Sequence, residues 1–387
     1  MRPVIVVVAF NRPRSLQRLL TFLSKAQYPD KNITLIISID RGDNQNVLNI
    51  ANDFVWEFGE KIVDYQKENL KLRKHILKCG NWSEKYGSVI VLEDDLIVSP
   101  YFYNYAVQAL SFSENREYIG GISLYNHRWN VNVSEPFEIM DDPYDIWYFQ
   151  FASSWGQAWT ATQWKNFKKW YVINESKDLH ASDMPKFVAN WSSSSWLKYF
   201  IKYLIESDKY FIYPKKSLTS NFSDAGTHVN SDNTNYQVPL DECKRVYHFS
   251  ELEESRCVYD AFFESQRMID IHEIKTTDIT IDLYGSKTDP KTRYWLSRKI
   301  LNYAIVASYG CSMRPHEANI MYDIPGEDFF LYDTSIEEKN SRKFNAKRKS
   351  VFNHRYILLK DYLPIFETFV DAVSMGIRKR LKYRSKK

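Results

Sequence analysis

The amino-terminal part of the chain alternates short unbroken apolar runs with longer segments whose apolar residues recur every three or four positions. Residues 4–10, 33–39, 61–65 and 89–92 have the length and β-branched content of strands, and 4–10 and 89–92 have the continuous apolar character of strands covered on both faces. Between them, Leu16, Leu19, Leu20 and Leu23 fall on one helical face behind the turn Asn11-Arg12-Pro13-Arg14-Ser15. Residues 47–58 and 72–79 also read as helices. This β-α-β-α-β alternation predicts an α/β fold, a mostly parallel sheet with helices on both faces.

Further along, Pro100-Tyr101-Phe102-Tyr103-Asn104-Tyr105 opens another helix, 118–125 and 209–214 read as strands, and 141–164 is dense in aromatic and small residues. Residues 220–228 form a polar loop. A composition shift near 240–255 divides the chain into a catalytic domain over 1–245 and an extension over 246–387, expected to be mainly helical from helix-like pieces at 293–308 and 361–382. In the second piece, Tyr362, Phe366, Phe369, Val373, Ile377 and Leu381 share one helical face, and Pro364 suits a first turn.

That tail changes how the net charge of +4 is understood. Residues 378–387 hold seven Lys and Arg and no acid, which leaves 45 basic against 48 acidic residues elsewhere. The positive charge therefore belongs to the tail and argues against a nucleic-acid-binding face. A basic amphipathic helix suits peripheral contact with an anionic membrane leaflet, each basic residue near the surface contributing roughly 1 kcal/mol. The alternative is a helix packed on the catalytic domain followed by a solvated end. Four cysteines without a C-x-x-C pair argue against a zinc site or a disulfide framework and fit a reducing cytoplasm. Met1-Arg2-Pro3 leads straight into a strand, leaving no room for a signal peptide, and no stretch is long and apolar enough to span a bilayer. The expected location is the cytoplasm, peripheral on the inner face of the membrane.

The chemistry concentrates at Val89-Ile90-Val91-Leu92-Glu93-Asp94-Asp95-Leu96, a buried strand running into three carboxylates. Open α/β sheets bind ligands at the carboxyl ends of their strands. Three adjacent anions repel one another unless something positive is present, and oxygen ligands at this density suit Mn2+ or Mg2+ bridging to a phosphate. A solvated acidic turn is the plain alternative. No Gly-x-Gly-x-x-Gly or P-loop pattern follows the first strand, so a dinucleotide fold of that type is disfavoured. The high aromatic content, 11 Trp, 27 Tyr and 23 Phe, is ordinary core material that also suits a carbohydrate groove.

Val8-Ala9-Phe10-Asn11-Arg12, Ile37-Ser38-Ile39-Asp40-Arg41-Gly42, Leu92-Glu93-Asp94-Asp95-Leu96-Ile97-Val98-Ser99-Pro100, Ser154-Trp155-Gly156-Gln157-Ala158-Trp159 and Ala225-Gly226-Thr227-His228, in this order, resemble the nucleotide-sugar glycosyltransferases of the GT-A (Rossmann-like) fold. The similarity is to bacterial family 2-type enzymes and the N-acetylglucosaminyltransferase I-like group, and it covers roughly residues 1–235. It implies a metal-dependent, inverting transfer of a hexosyl or N-acetylhexosaminyl unit from a nucleotide sugar, a UDP-sugar foremost, to a glycan or polyprenyl-linked acceptor in surface polysaccharide synthesis. Under the resemblance, Phe10 and Asn11 line the nucleoside pocket, Arg12 neutralises a diphosphate oxygen, and Asp40 accepts from a pyrimidine N–H. Asp94 faces the ribose, Asp95 binds the metal, and Glu93 lies near the donor sugar. Trp155, Gly156 and Trp159 shape the floor beneath the sugars, and His228 sits on a loop that folds over the donor.

The pattern breaks at the general base. In the Golgi relatives an Asp precedes a Trp, where this chain has Ser193-Ser194-Ser195-Trp196; Asp183 is the substitute, ahead of Glu206 and Asp208. That break keeps open a non-catalytic glycan- or nucleotide-binding relative in a polysaccharide assembly complex. A nucleotidyltransferase is disfavoured because Asn11-Arg12-Pro13 supplies no glycine.

Overall fold

The computed structural model describes residues 1–177, 179, 183–222, 224, 236–342, 370 and 373. The all-apolar first run is strand β1 (Val4–Ala9), buried along its length. Pro13, whose missing N–H costs nothing in a first turn, starts helix α1 (Pro13–Lys25). There follow β2 (Leu35–Ile39), α2 (Gln45–Asp53), β3 (Lys61–Tyr65), α3 (Lys71–Gly80), α4 (Trp82–Tyr86) and β4 (Ser88–Glu93). The short strand β5 (Leu96–Val98) leads to α5 (Phe102–Ser113) and β6 (Ile119–Ser123). A small hairpin, β7 (Trp129–Asn130) with β8 (Glu135–Pro136), precedes β9 (Ile146–Phe149) and β10 (Gln157–Thr160). Thr160 and Gln163 form a reciprocal capping box that starts α6 (Ala161–Asn174). After α7 (Lys186–Ala189) and α8 (Trp196–Glu206) come β11 (Tyr210–Pro214), β12 (Thr219–Asn221) and β13 (Val258–Tyr259).

Nine of these strands form one sheet in the order β13-β9-β11-β6-β10-β4-β1-β2-β3. β3, β2, β1 and β4 run parallel, as do β6 with β11 and β9 with β13, while β10 is antiparallel to both β4 and β6. The alternate residues of β1, β2 and β4 explain the double cover. Ile5, Val7, Leu35, Ile37, Ile90 and Leu92 pack beneath α1, α2 and α5, whereas Val4, Val6, Ile36, Val89 and Val91 meet an aromatic layer of Trp159, Trp164, Phe167, Trp196 and Phe200. The expected α/β architecture holds. The order β4-β1-β2 matters for function, because the chain leaves β1 to one side and returns on the other. Such a reversal opens a crevice at the carboxyl ends of the strands.

The extension departs from expectation. Strands β14 (Ile279–Asp282), β15 (Tyr294–Ser297), β16 (Tyr303–Tyr309) and β17 (Phe329–Glu337) make a second sheet, with α9 (His316–Met321) as the sole α-helix described between 246 and 342. Residues 293–308 are thus two strands and not a helix. On β15 Trp295 and Leu296 alternate between two cores, and on β16 Tyr303 and Ile305 face one core and Ala307 and Tyr309 the other, the faces exchanging at a register irregularity between Ile305 and Ala307. Helical spacing was a coincidence of a run rich in aromatic and β-branched residues, which pack best on a pleated surface. The division expected near 245 falls before β13, which pairs with β9 in the large sheet. A buried ion pair, Arg298 with Glu135 at 2.7 Å, ties the second sheet to the β7–β8 hairpin. The expected helix over 361–382 lies, apart from Val370 and Val373, outside the described residues. Among the described residues no helix is long and apolar enough to cross a membrane.

Candidate active site

The crevice receives two chain segments by construction. Val8 is level with Glu93 in the parallel β1–β4 pair, so the exit of β1 and the three acids at the end of β4 emerge side by side. The backbone N–H of Asp94 donates to the Val8 carbonyl at 3.0 Å, extending the ladder one residue beyond the strand. Arg12, immediately before α1, is thereby brought onto the acids. Its Nη1 donates to Asp95 Oδ2 at 2.9 Å, and its Nη2 is in close contact with Asp94 Oδ1. One guanidinium therefore bridges two carboxylates in a fork that only arginine provides.

Burial sets the electrostatics. Removal from water pushes the Glu93 carboxyl up to about 8, helped by the neighbouring charges of Asp95 and Asp94 and opposed by Arg12. Asp94, 2 % exposed, is pushed up to about 6, again chiefly by burial, despite the Arg12 charge and a hydrogen bond from the Phe10 backbone. Burial on its own would lower Arg12, but the two carboxylates outweigh it and hold the guanidinium above its usual value. Asp95 Oδ1 is buried and has no hydrogen-bond partner among the described residues. The cluster is short of positive charge and has an unused acceptor.

Around it, Asp40 is buried at the end of β2, and its Oδ1 accepts the backbone N–H groups of Arg41 at 2.9 Å and Leu70 at 2.8 Å. That oxygen holds the β2 exit to the loop before α3; the other makes no hydrogen bond to a described residue. Phe10 and Asn11 are exposed at the β1 exit, where the Asn11 carbonyl accepts from Asn44 Nδ2. Trp155 is half-buried, with its ring against Tyr125 and Tyr236 at centroid distances of 4.8 and 4.9 Å. Gly156 has φ of +92°, and a Cβ there would stand 2.8 Å from Thr219 Cγ2, so only glycine fits the turn into β10.

Two residues lie in motifs that the sequence singled out, but were given no role of their own there. Gln157, fully buried, stands opposite Val91 on β4, and neither polar atom of its carboxamide has a partner among the described residues. A polar residue at an inward position of an apolar strand was the available signal. Asp224 is the other. It accepts from Ser15 Oγ at 2.6 Å and pairs with Arg18, whose guanidinium lies 3.6 Å from the centre of the Phe222 ring. Burial would raise its carboxyl, but the bonds from Arg18 and Ser15 hold it below its usual value. With the Phe222 N–H on the Asp95 carbonyl, these contacts seat the start of the 220–228 loop beside the acids. His228 and the Ala225–Thr227 part of that motif lie outside the described residues.

The structure does not bring Asp183 to this cluster. Its carboxylate accepts from Lys202 Nζ at 2.8 and 2.9 Å, and Lys202 also pairs with Glu206. Asp183 instead borders a separate cavity of about 390 Å3 with Gln150, Asp260 and residues of the second sheet. Ser195 is the N-cap of α8, its Oγ accepting the Lys198 N–H at 3.3 Å, which is the work the Ser-Trp pair does here.

No family model and no curated protein matches the chain. Solved structures do. A mannosyltransferase from Pyrobaculum calidifontis, solved with GDP-Man and Mn2+, is 11 % identical over 44 % of this chain and 47 % of its own, with a TM-score of 0.30. TarS 1-349 of S. aureus is 11 % identical over 58 % of this chain and 61 % of its own, with a TM-score of 0.38, and its complex with UDP-GlcNAc gives 11 %, 60 %, 62 % and 0.36. The chain thus spans about half to three-fifths of the length of these proteins. Scores of this size carry no inference about what the chain does.

Proposed function

We propose that the chain is a metal-dependent, inverting glycosyltransferase that moves a hexosyl or N-acetylhexosaminyl unit from a nucleotide sugar to a glycan or lipid-linked acceptor in surface polysaccharide synthesis. The observation that carries the proposal is the Arg12 guanidinium bridging Asp94 and Asp95 at the crevice between β1 and β4. A diphosphate entering there offers Arg12 a multiply charged anion in exchange for the two carboxylates it bridges. Asp40 receives the base at the neighbouring strand end, Asp94 the ribose, and Glu93 and Gln157 lie on the sugar side. Phe222 and Asp224, held beside the acids by the Asp95 carbonyl, Ser15 and Arg18, would border the bound donor.

The donor set fits a small divalent ion. Among the described residues no three His, Cys, Asp or Glu side chains cluster to hold one, but Mn2+ or Mg2+ in phosphate sites needs only one or two carboxylates plus the substrate's oxygens. The unpartnered Asp95 Oδ1 is the acceptor that would hold it. When bound, the ion stabilises negative charge on the departing diphosphate. Asp183 would take the acceptor proton, on the conditions that Lys202 releases it and that it moves from its own cavity to the acids. The basic tail would hold the enzyme on the inner membrane leaflet, next to a lipid-linked acceptor.

A second reading, a nucleotide- or glycan-binding relative without turnover, is favoured by the Lys202 clamp on Asp183. One experiment separates them: incubation with UDP-, GDP-, CMP- and dTDP-sugars with and without Mn2+, reading free nucleotide and product anomer. Metal-dependent release with inversion supports transfer. Saturable binding without release supports the second reading, and neither binding nor release refutes both.

A further inference from the structure

Neither oxygen of Asp95 is open to the crevice while the Arg12 guanidinium is in place. Oδ2 accepts from Arg12 Nη1 at 2.9 Å, and Oδ1 is sealed from solvent. Asp94 is 2 % exposed, and its Oδ1 is in contact with Arg12 Nη2. Among the described residues no other Lys, Arg or His pairs with either acid. One side chain holds both carboxylates at once.

The acids are fixed and the arginine is not. The Asp94 N–H donates to the Val8 carbonyl at 3.0 Å, and the Asp95 carbonyl accepts from the Phe222 N–H at 2.9 Å. The Arg12 side chain is 29 % exposed, within reach of a molecule in the crevice. A guanidinium carries five N–H donors, and among the described residues Arg12 spends only two of them, both on the acids. The other three can take phosphate oxygens before the first two let go. The guanidinium can thus be handed from carboxylates to a diphosphate without its charge being left bare.

We infer that Arg12 is a displaceable lock on the metal site: it keeps a divalent ion off Asp94 and Asp95 until a nucleoside diphosphate draws the guanidinium away. The inference deepens the glycosyl-transfer reading and rests on its assignment of the ion to Asp95. A guanidinium and Mn2+ seek the same carboxylate oxygens, and two cations on one carboxylate repel each other at short range. A small divalent ion in a phosphate site takes one or two carboxylates and completes its shell with phosphate oxygens and water. The diphosphate therefore supplies both halves of the exchange, an anion for Arg12 and oxygens for the ion. Ion and nucleotide are coupled through Arg12, and by linkage each strengthens the other by the same factor.

The test reads Mn2+ itself and not turnover. Loss of the free-ion electron paramagnetic resonance signal measures Mn2+ binding by the full chain, alone and with UDP or GDP, and calorimetry measures each nucleotide without metal. The wild type should bind Mn2+ about tenfold or more tighter with one of the nucleotides than without. Arg12→Met should bind Mn2+ alone about tenfold or more tighter than the wild type, while its metal-free affinity for the nucleotide falls about tenfold or more. A merely structural arginine would weaken both. Arg12→Lys, whose ammonium lacks the fork that spans two acids, should fall between and serves if Arg12→Met fails to fold. Adding Asp95→Asn to Arg12→Met should abolish the gained Mn2+ binding, and its persistence would place the ion elsewhere and overturn the proposal. Mn2+ affinity in the folded variants no higher than in the wild type, or a wild type that binds Mn2+ equally with and without nucleotide, also overturns it. Nucleotide binding without the gain refutes the lock and leaves glycosyl transfer standing. The gain in proteins that take up neither nucleotide refutes glycosyl transfer and leaves Arg12 as the competitor of the ion.

Discussion

Asp94→Asn should stabilise the protein at neutral pH while damaging its function. The Asp94 carboxyl titrates at about 6 in the fold against an ordinary 3.8, with burial as the main cause. The folded state therefore holds this proton more tightly than the unfolded chain does. Below pH 4 both states are protonated and there is no difference; between 4 and 6 the folded state keeps a proton the unfolded chain has lost, so stability falls as pH rises; above 6 the loss is complete. That loss amounts to about 3 kcal/mol, and an uncharged isostere avoids it. With an unfolding entropy of about 2.1 cal/mol/K per residue, 3 kcal/mol in a chain of 387 residues raises the melting temperature by about 4 °C. Paired thermal melts of the two proteins from pH 4 to pH 8 measure this. The curves should coincide near pH 4, separate up to about pH 6 and stay parallel until Glu93, raised to about 8, begins to ionise in both. Binding of nucleoside diphosphate, followed by calorimetry at pH 7.5, should weaken by about tenfold or more with the loss of a charge-assisted contact. A variant that melts below the wild type at pH 7.5, or a gap that widens toward low pH, would refute the assignment of a buried, destabilised carboxylate.

Other outcomes follow from the same geometry. Asp95→Asn should abolish the Mn2+ dependence of nucleotide binding in calorimetry, and undiminished metal-dependent affinity would remove Asp95 from the metal site. Asp183→Asn should lower turnover about a hundredfold or more with donor affinity nearly unchanged; normal turnover would eliminate it as the base. Gly156→Ala should cost about 1–3 kcal/mol in denaturant unfolding, since the alanine meets both a left-handed backbone and the Thr219 methyl, and a neutral result would show that the turn relaxes. Neutralising the seven Lys and Arg of residues 378–387 to Gln should abolish co-sedimentation with anionic vesicles at low salt. Equal binding of both proteins would rule out the tail as a membrane contact.

Much of the amino-terminal half was legible because its information is local. An apolar run of strand length or an apolar stripe at helical spacing is decided by neighbours within a few residues, and β1 through β4 with their helices appear close to where the pattern puts them. The three acids at the end of β4 were visible for the same reason. Pattern alone failed at residues 293–308, where strand and helix periods both accommodated the aromatic positions and long-range pairing with β17 chose the strand.

What the sequence by itself determined, then, is a set of elements and one acidic strand end. Tertiary structure decided which groups meet there. Arg12 reaches Asp94 and Asp95 across 82 and 83 residues because β1 and β4 are parallel neighbours, and nothing near Arg12 in the chain encodes that. The crossover also removes the acids from water, which turns ordinary carboxylates into groups titrating at about 6 and 8. Asp183 went to Lys202 on α8, and His127 in among the rings of Phe149, Phe151, Tyr213 and Phe263, by packing that no local pattern encodes. Local propensity is summed along the chain; burial, charge pairing and cavity shape depend on distances in space that exist only after the sheet has closed.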